Sequence, residues 1–200
     1  MCGRYFLDES PELRPYVEWM NRSPLIARFE GSEKASCGRE VRPSMTVPAV
    51  ATDRRGRRAV FPMKWGFSGR SLLINARSET AAVKPMFREA WEKHRCVLPA
   101  ARYFEWERLS AGGKAAAGRK YALRPRGEGV VWLCGLYRIE DGIPCCVILT
   151  RESAEGIRFI HDRMPLILPE RLADEWIRPD ASPESVAGAA LDDMVWEPAS

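Results

Sequence analysis

The 200-residue sequence lacks several features that would place it among membrane, secreted or metal-binding proteins. It contains no run of about 18 consecutive apolar residues, and its N-terminus lacks the basic start and apolar stretch of a secretion signal. Only two histidines are present, His94 and His161, and the six cysteines form no C-x-x-C pair. These absences predict a cytoplasmic protein with reduced thiols and with no membrane contact, metal or cofactor.

Positive charge is concentrated in the first 169 residues, although the net charge of the whole chain is only +4. Residues 170–200 carry eight acidic residues against two arginines, a net charge of −6, which leaves +10 on residues 1–169. Arginine outnumbers lysine by 25 to 6, and a guanidinium group can hold a phosphate through two parallel hydrogen bonds. A polyanionic partner would explain this excess, and so would the codon bias of a GC-rich genome.

The chain length suits one domain, and the hydrophobic pattern favours β-strands with a few helices. We predict helices over residues 10–20, 86–93, 153–160 and 170–177. We predict strands over residues 41–52, 58–65, 71–76, 96–99, 102–107, 119–124, 130–138, 143–150 and 165–168. Residues 109–118 are expected to form a flexible loop because they are rich in glycine and alanine. The fold class is therefore α+β, a single domain with a mainly antiparallel, barrel-like sheet and helices at its edges.

Cys2 is the most informative residue for chemistry. If Met1 is removed by an aminopeptidase, Cys2 carries both a free α-amine and a thiol, whose ordinary pKa values are about 8 and about 8.5. The amine can form a Schiff base with an aldehyde, and the neighbouring thiol can then close a five-membered thiazolidine ring. The alternative is that a cysteine at position 2 has no function.

Three other motifs contain residues that could act with Cys2. Glu105 lies in RYFEWE beside large aromatic residues, which could raise its pKa for acid and base work, although a solvated strand face is the simpler interpretation. His161 in IHDRMP could transfer protons near neutral pH, or it could be purely structural. Asn75 and Arg77 alternate onto one strand face in INARSET, where they could supply an amide hydrogen bond and a phosphate contact.

Taken together and in this order, the motifs of the chain resemble those of the SOS-response-associated peptidase (SRAP) family, which includes abasic-site processing and 5-hydroxymethylcytosine-binding-like proteins. The matching segments are MCGRY at 1–5, MKWGF at 63–67, INARSET at 74–80, KPMF at 84–87, RCVLPAARYFEWE at 95–107, LCGLY at 133–137, ILT at 148–150 and IHDRMPLIL at 160–168. The resemblance implies an SRAP domain over residues 1–178, folded as a distorted β-barrel with flanking helices and a basic groove for single-stranded DNA. Residues 179–200 form an acidic C-terminal tail that matches no recognisable family ending.

The resemblance also implies a function, in which the protein traps the ring-opened aldehyde of an abasic site in single-stranded DNA as a thiazolidine. Cys2 would form the covalent bond, Glu105 would serve as acid and base, His161 would assist proton transfer to the sugar, and Asn75 would position the cysteine or the deoxyribose. The implied DNA-binding residues are Arg4, Trp65, Arg77, Thr150 and Arg163. The expected partners are single-stranded DNA with abasic sites and proteins of the replication fork, and the protein is expected to be a monomer.

Alternative functions stay open from the sequence. Cys2 could be the nucleophile of a thiol peptidase, perhaps an autoproteolytic one, or could stand idle in a non-covalent reader of modified DNA. A class II glutamine amidotransferase also begins Met-Cys-Gly, but its other motifs are absent here. The loop after the WGF motif is short, so that DNA distortion would be weaker or would use Phe67, and the acidic tail would either pack on the core or occupy the groove.

Overall fold

The structure is a computed structural model that describes residues 2–111 and 114–199. The strands are β1 (Arg4–Leu7), β2 (Arg39–Val41), β3 (Thr46–Thr52), β4 (Arg58–Trp65), β5 (Asn75–Arg77), β6 (Arg95–Ala100), β7 (Arg102–Ala111), β8 (Lys114–Pro125), β9 (Val131–Glu140), β10 (Ile143–Glu152), β11 (Arg163–Pro165), β12 (Ile167–Leu168) and β13 (Met194–Pro198). The helices are α1 (Arg14–Arg22), α2 (Ser78–Ala81), α3 (Pro85–Lys93), α4 (Glu170–Ile177) and α5 (Pro183–Ala187), with short 3₁₀ turns at Pro24–Phe29 and Glu155–Ile157.

Five strands close into a barrel in the order β3, β4, β10, β9 and β6, with β6 pairing back onto β3. All of these pairings are antiparallel except that of β4 with β10. The β9 strand passes close to its neighbours at Gly135, where a Cβ atom would lie 2.8 Å from the carbonyl oxygen of Val147. The predicted α+β fold with a mainly antiparallel, distorted barrel in one domain is confirmed.

A second sheet lies beside the barrel, with the strand order β13, β8, β7, β1 and β2. Its pairings are all antiparallel, and β1 places Tyr5 directly opposite Tyr103 of β7. The ring of Tyr5 packs on the buried indole of Trp65 at the end of β4, with 5.4 Å between the ring centroids. The first strand of the chain therefore joins the second sheet to the barrel.

The helices cover the outside of the barrel. The α1 helix buries Val17 and Met20 against β3 and β4, and it begins at Arg14 because a turn at residues 10–13 precedes it. The α3 and α4 helices pack beside β6 and β9, and Trp91 and Trp176 meet edge to face between them. In the part of the chain that the structure describes, no helix is both long enough and apolar enough to cross a membrane.

The local structure differs from the sequence prediction in five segments. The strand expected at 41–52 is divided, since Val41 ends β2 and β3 begins only at Thr46. The expected loop at 109–118 belongs to the long hairpin of β7 and β8, except for Gly112 and Gly113, which lie outside the described residues. The expected helix at 153–160 is reduced to a 3₁₀ turn that contains Gly156, a poor helix former. The expected strand at 71–76 is shortened to β5, and the weakly periodic end of the chain contains α5 and β13.

Candidate active site

Four separate elements bring the predicted catalytic residues to the junction between the second sheet and the barrel. Cys2 immediately precedes β1, which pairs with β7 and so lies beside the strand that carries Glu105. Asn75 begins β5, which runs parallel to β10 on the barrel. His161 lies between the 3₁₀ turn at Glu155–Ile157 and β11. The structure therefore places all four residues around one region, although 159 sequence positions separate the first from the last.

Cys2 is held in place through its backbone. The Asn75 side chain donates a hydrogen bond from Nδ2 to the Cys2 carbonyl oxygen at 3.0 Å, and the thiol donates to the carbonyl oxygen of Arg4 at 3.8 Å. Cys2 is fully buried, and burial raises the pKa of its thiol far above the usual range, with the carboxylate of Glu105 adding to the rise. The thiol is therefore protonated at neutral pH, and its reaction requires a nearby base.

Glu105 is suited to act as that base. The residue is only 6% exposed, and burial raises the pKa of its carboxyl group. Its Oε1 accepts a hydrogen bond from the backbone N–H of Trp106 at 3.3 Å. A carboxyl group with a raised pKa can take up and return a proton at pH values nearer neutrality than an exposed glutamate can.

His161 is buried and neutral. Burial lowers its pKa to about 4, and the nearby Arg108 guanidinium contributes to the decrease. Its Nδ1 accepts a hydrogen bond from the backbone N–H of Arg163 at 2.9 Å, which assigns the ring proton to Nε2. Asp162 Oδ1 also lies 2.8 Å from Nδ1, a contact that becomes an ion pair only when the imidazole is protonated. In the neutral form, this carboxylate is held by Arg108 Nη1 at 2.9 Å.

The three predicted phosphate ligands differ in how available they are. Arg163 is mostly buried, with its guanidinium bound to both carboxylate oxygens of Glu79 at 2.6 and 2.8 Å and to the carbonyl oxygen of Thr150 at 2.7 Å. Arg4 is about one-third exposed and lies 3.8 Å from Glu40. Arg77 is exposed and forms no side-chain hydrogen bond with the described residues. Arg77 is therefore the most accessible of the three cations.

Trp65 and Thr150 were expected along the groove, but both are almost completely buried. Trp65 donates from Nε1 to the carbonyl oxygen of Ile74 at 3.0 Å, and Thr150 donates to the carbonyl oxygen of Ala76 at 3.4 Å. These bonds attach β5 and the segment before it to the barrel. Phe67, considered as a wedge for DNA, is likewise buried, against Phe87. Because none of these side chains reaches the surface, direct contact with DNA would require local opening.

Arg108 is a site residue that the sequence did not reveal. Two residues of β8, Gly118 and Arg119, oppose the single Glu107 of β7, so the extra residue of this β-bulge lies in β8. Alternation along β7 therefore assigns Arg108 to the face opposite Glu105. Arg108 joins the site through the segment of His161, since its guanidinium binds Asp162 at 2.9 Å and its backbone N–H donates to Ile160 at 3.1 Å. Its positive charge lowers the pKa values of both Glu105 and His161. At Glu105, this opposes the effect of burial, which raises the pKa of the carboxyl group. No residue pattern in this stretch marks the bulge.

Comparison with known families agrees with this arrangement. The model of the family described as SOS response associated peptidase (SRAP) matches residues 1–198. The chain belongs to the SRAP family. The family match extends through α5 and β13, and so covers residues 179–198 of the acidic C-terminal segment.

Several relatives named abasic site processing proteins are similar to this chain over most of their length. The chain is 32% identical to the abasic site processing protein YedK of Escherichia coli K12, in an alignment that covers 100% of this chain and 92% of the relative. It is 31% identical to the abasic site processing protein YoaM of Bacillus subtilis 168, covering 77% of this chain and 74% of the relative.

Solved structures share the SRAP fold of this chain at low sequence identity. A phage-related protein of Bordetella bronchiseptica superposes with a TM-score of 0.75 at 23% identity, covering 99% of this chain and 94% of that protein. A protein of Bacteroides thetaiotaomicron superposes with a TM-score of 0.70 at 20% identity, covering 100% and 92% of the two chains. These likenesses concern the fold alone.

Proposed function

We propose that this protein captures the aldehyde of a ring-opened abasic site in single-stranded DNA through Cys2, after Met1 has been removed. The observation that carries the proposal is the hydrogen bond from Asn75 to the Cys2 carbonyl, which holds the cysteine beside the buried carboxyl group of Glu105. The names of the SRAP relatives, which process abasic sites, support the same substrate.

The proposed reaction has two covalent steps. The α-amine of Cys2 adds to the aldehyde carbon, and loss of one water molecule gives a Schiff base. The thiol sulfur then adds to the imine carbon while its proton passes to the imine nitrogen, which closes a thiazolidine ring without further loss of atoms. Reversal follows the same path, with uptake of one water molecule.

The surrounding side chains supply proton transfer and positioning in this proposal. Glu105 accepts the thiol proton and returns it to the nitrogen, because its raised pKa suits both directions of transfer. Neutral His161 donates a hydrogen bond from Nε2 to the sugar oxygen and so assists proton transfer to that oxygen as the ring opens, while Nδ1 keeps its hydrogen bond from the Arg163 backbone N–H. Asn75 fixes the backbone of Cys2, so the two nucleophiles of one residue meet the same carbon.

DNA binding in this proposal depends on phosphate contacts, which are independent of sequence, while the missing base supplies selectivity. Arg77 and Arg4 provide the accessible guanidinium groups. Arg163 acts through its pairing with Glu79, and a phosphate could reach it only by displacing that carboxylate.

The thiol peptidase alternative is less consistent with the state of Cys2. A peptidase nucleophile is activated as a thiolate, usually by a neighbouring cation that lowers its pKa. Burial and the Glu105 carboxylate act in the opposite direction here. A non-covalent reader of modified DNA would leave the pairing of Cys2 with Asn75 without a role.

The proposal is tested by intact mass spectrometry under denaturing conditions. Purified protein is mixed, without reductant, with a single-stranded oligonucleotide carrying one abasic site, beside Cys2→Ala and beside an undamaged oligonucleotide. The expected species has the mass of the Met1-less protein plus DNA minus one water, and it is absent from both controls. Protein that has lost Met1 but forms no such species would refute covalent capture.

A further inference from the structure

Three aromatic residues form a partly exposed cluster near the proposed active site. The rings of Tyr121, Phe159 and Trp196 meet pairwise at edge-to-face angles, with centroid separations of 5.8, 5.4 and 5.2 Å. Tyr121 is buried at the base, whereas Phe159 is 49% exposed and Trp196 is 45% exposed. We name these three residues the aromatic platform. Its open ring surfaces come from the two exposed members.

The strand register places the aromatic platform on the same face of the second sheet as Glu105. Glu105 of β7 lies directly opposite Tyr121 of β8. In the neighbouring row, Tyr103 lies opposite Leu123, which lies opposite Trp196 of β13. Residues directly opposite each other in antiparallel strands point to the same face, so Trp196 is on the Glu105 face. It lies two strand intervals across and two residues along from Glu105, or about 12 Å away.

The third member of the platform comes from the segment that carries His161. Phe159 precedes His161 by two residues, and the buried side chains of Ile157 and Ile160 anchor this segment. The backbone N–H of Arg108 donates to the carbonyl oxygen of Ile160 at 3.1 Å, which ties the segment to β7. The platform therefore continues the proposed active site on the side of both proton-transfer residues.

An exposed cation lies beside the platform. Arg119 is on the same face as Tyr121, two residues before it in β8. The two acidic groups at β13 are directed elsewhere. Glu197 alternates to the opposite face, where it pairs with Arg102 at 3.5 Å, and Asp193 pairs with Arg126 at 3.2 Å.

We propose that the aromatic platform stacks a base of the single-stranded DNA, within about four nucleotides of the abasic residue that reacts with Cys2. This inference rests on the proposed function. The spacing follows from the separation of about 12 Å between Trp196 and Glu105, which lies beside Cys2, and a rise of about 3.4 Å per stacked nucleotide. Stacking suits a site without sequence preference, since every base has an aromatic face. The C-terminal strand thereby becomes part of the DNA-binding surface.

The first test measures reversible binding of an undamaged single-stranded oligonucleotide by fluorescence anisotropy. Phe159→Ala and Trp196→Ala should each weaken binding on the order of 5- to 10-fold, the lower part of the range for loss of one base–aromatic contact. Trp19→Ala is the matched control. Trp19 is 50% exposed and also packs edge to face on a tyrosine, Tyr16, but it lies on α1. Its variant should bind like the unaltered protein.

A purely structural role for the platform is distinguished by stability and by rescue. If Trp196 only anchors β13, Trp196→Ala should lower the thermal unfolding temperature and leave the affinity for DNA unchanged in folded protein. Trp196→Phe should restore most of the binding if stacking is its role. Phe159→Ala does not alter β13, so its affinity for DNA tests base stacking independently. Unchanged affinity in both alanine variants would overturn the inference.

The second test removes the base instead of the protein ring. Oligonucleotides with one tetrahydrofuran analogue of an abasic site, which has no aldehyde to react, carry propanediol spacers at the four positions on one side of it or on the other. With the unaltered protein, spacers on one of the two sides should weaken binding about as much as Trp196→Ala does. With the Trp196→Ala protein, the same spacers should weaken binding little further. If spacers on the two sides weaken binding equally and their effect adds to that of Trp196→Ala, base stacking is overturned. Crosslink formation by the unaltered protein, measured in parallel, tests the proposed function separately.

Discussion

The chemistry of Glu105 depends on its burial, which keeps the carboxyl group protonated to higher pH than an exposed glutamate. Glu105→Gln retains the shape of the side chain but cannot exchange a proton. We expect the rate of crosslink formation to fall about 10²- to 10⁴-fold, the usual contribution of a general acid or base. Stopped time courses resolved by denaturing gel electrophoresis provide the measurement.

Glu107→Gln is the matched control for this variant. Glu107 lies two residues further along β7, so its substitution removes a neighbouring negative charge without removing the proposed proton carrier. Its crosslinking rate should stay within a few-fold of that of the unaltered protein. Equal rates for the two variants would exclude Glu105 as the acid and base.

His161 should make the stability of the protein depend on pH. Its pKa is about 4 in the folded protein and 6.5 ordinarily, so the unfolded chain binds the proton first as the pH falls. Stability is therefore complete above pH 6.5 and is lost between pH 6.5 and 4, by at most about 3 kcal/mol. The free energy of unfolding of His161→Gln, measured in urea across this interval, should decrease less than that of the unaltered protein. An equal decrease in the free energy of unfolding of the two proteins over this interval would contradict the lowered pKa of His161.

At the scale of elements, a single buried arginine connects two helix ends. Arg95 at the start of β6 donates to the carbonyl oxygens of Trp91 and Glu92 at the end of α3. It also donates to Trp176, at the end of α4, and to the carbonyl oxygens of Arg178 and Ala181 beyond it. A cation at helix C-termini complements the partial negative charge of the exposed carbonyl groups. Arg95 thus attaches the last part of the chain to the barrel.

Arg95→Met should destabilise the protein by about 3 kcal/mol or more, because several buried carbonyl groups lose a charged donor. Arg57→Met is the matched control. Arg57 also makes several hydrogen bonds, to Asp53, but its side chain is 68% exposed, so its loss should cost less than about 1 kcal/mol. Urea unfolding curves of both variants compare the two arginines directly. Equal destabilisation would show that the interior position of Arg95 does not matter.

Elements with a strong local pattern were predictable, whereas those defined by distant partners were not. The hairpin of β3 and β4 follows from apolar runs around the DRRG turn, and α4 follows from its amphipathic spacing. The β13 strand forms only because β8 offers an unpaired edge, and its Met194–Pro198 sequence has little pattern of its own. The same limit applies to Arg108, which joins the site through Asp162 and Ile160, more than 50 positions away.

At the scale of the whole molecule, the uneven charge should appear in the salt dependence of DNA binding. The logarithm of the affinity for single-stranded DNA falls against the logarithm of salt concentration with a slope of about −0.7 for each phosphate contact. Arg77→Gln should make this slope shallower by about 0.7, because the exposed guanidinium loses one contact. Anisotropy titrations at several salt concentrations measure the slope.

Arg54→Gln tests whether this effect is local. Arg54 is also exposed, but it lies in the turn between β3 and β4. Since β4 and β5 both run parallel to β10, this turn is at the end of the barrel opposite Arg77. The slope for Arg54→Gln should match that of the unaltered protein, and an equal change in both variants would point to net charge alone.

The motif residues of the candidate site could be named from the sequence because Cys2, Asn75, Glu105 and His161 lie in recognisable segments. The contacts around these residues could not be predicted from the sequence. Whether Trp65 and Thr150 face a groove or the core depends on how β5 is attached to β10, a pairing between residues more than 70 positions apart. The ion pair of Arg163 with Glu79 joins residues that are 84 positions apart in the sequence.

The pairing of β1 with β7 has a consequence for the timing of synthesis. Tyr5 can meet Tyr103 only after more than 100 residues have been translated, at a rate of about 5–20 residues per second. For on the order of ten seconds, the segment around Cys2 can therefore pair with β2 but not with β7. Aminopeptidase action on Met1 falls naturally within this interval, before folding encloses the cysteine. Variants that accelerate folding of the first half of the chain leave this interval unchanged, because its length is determined by the position of β7 along the chain.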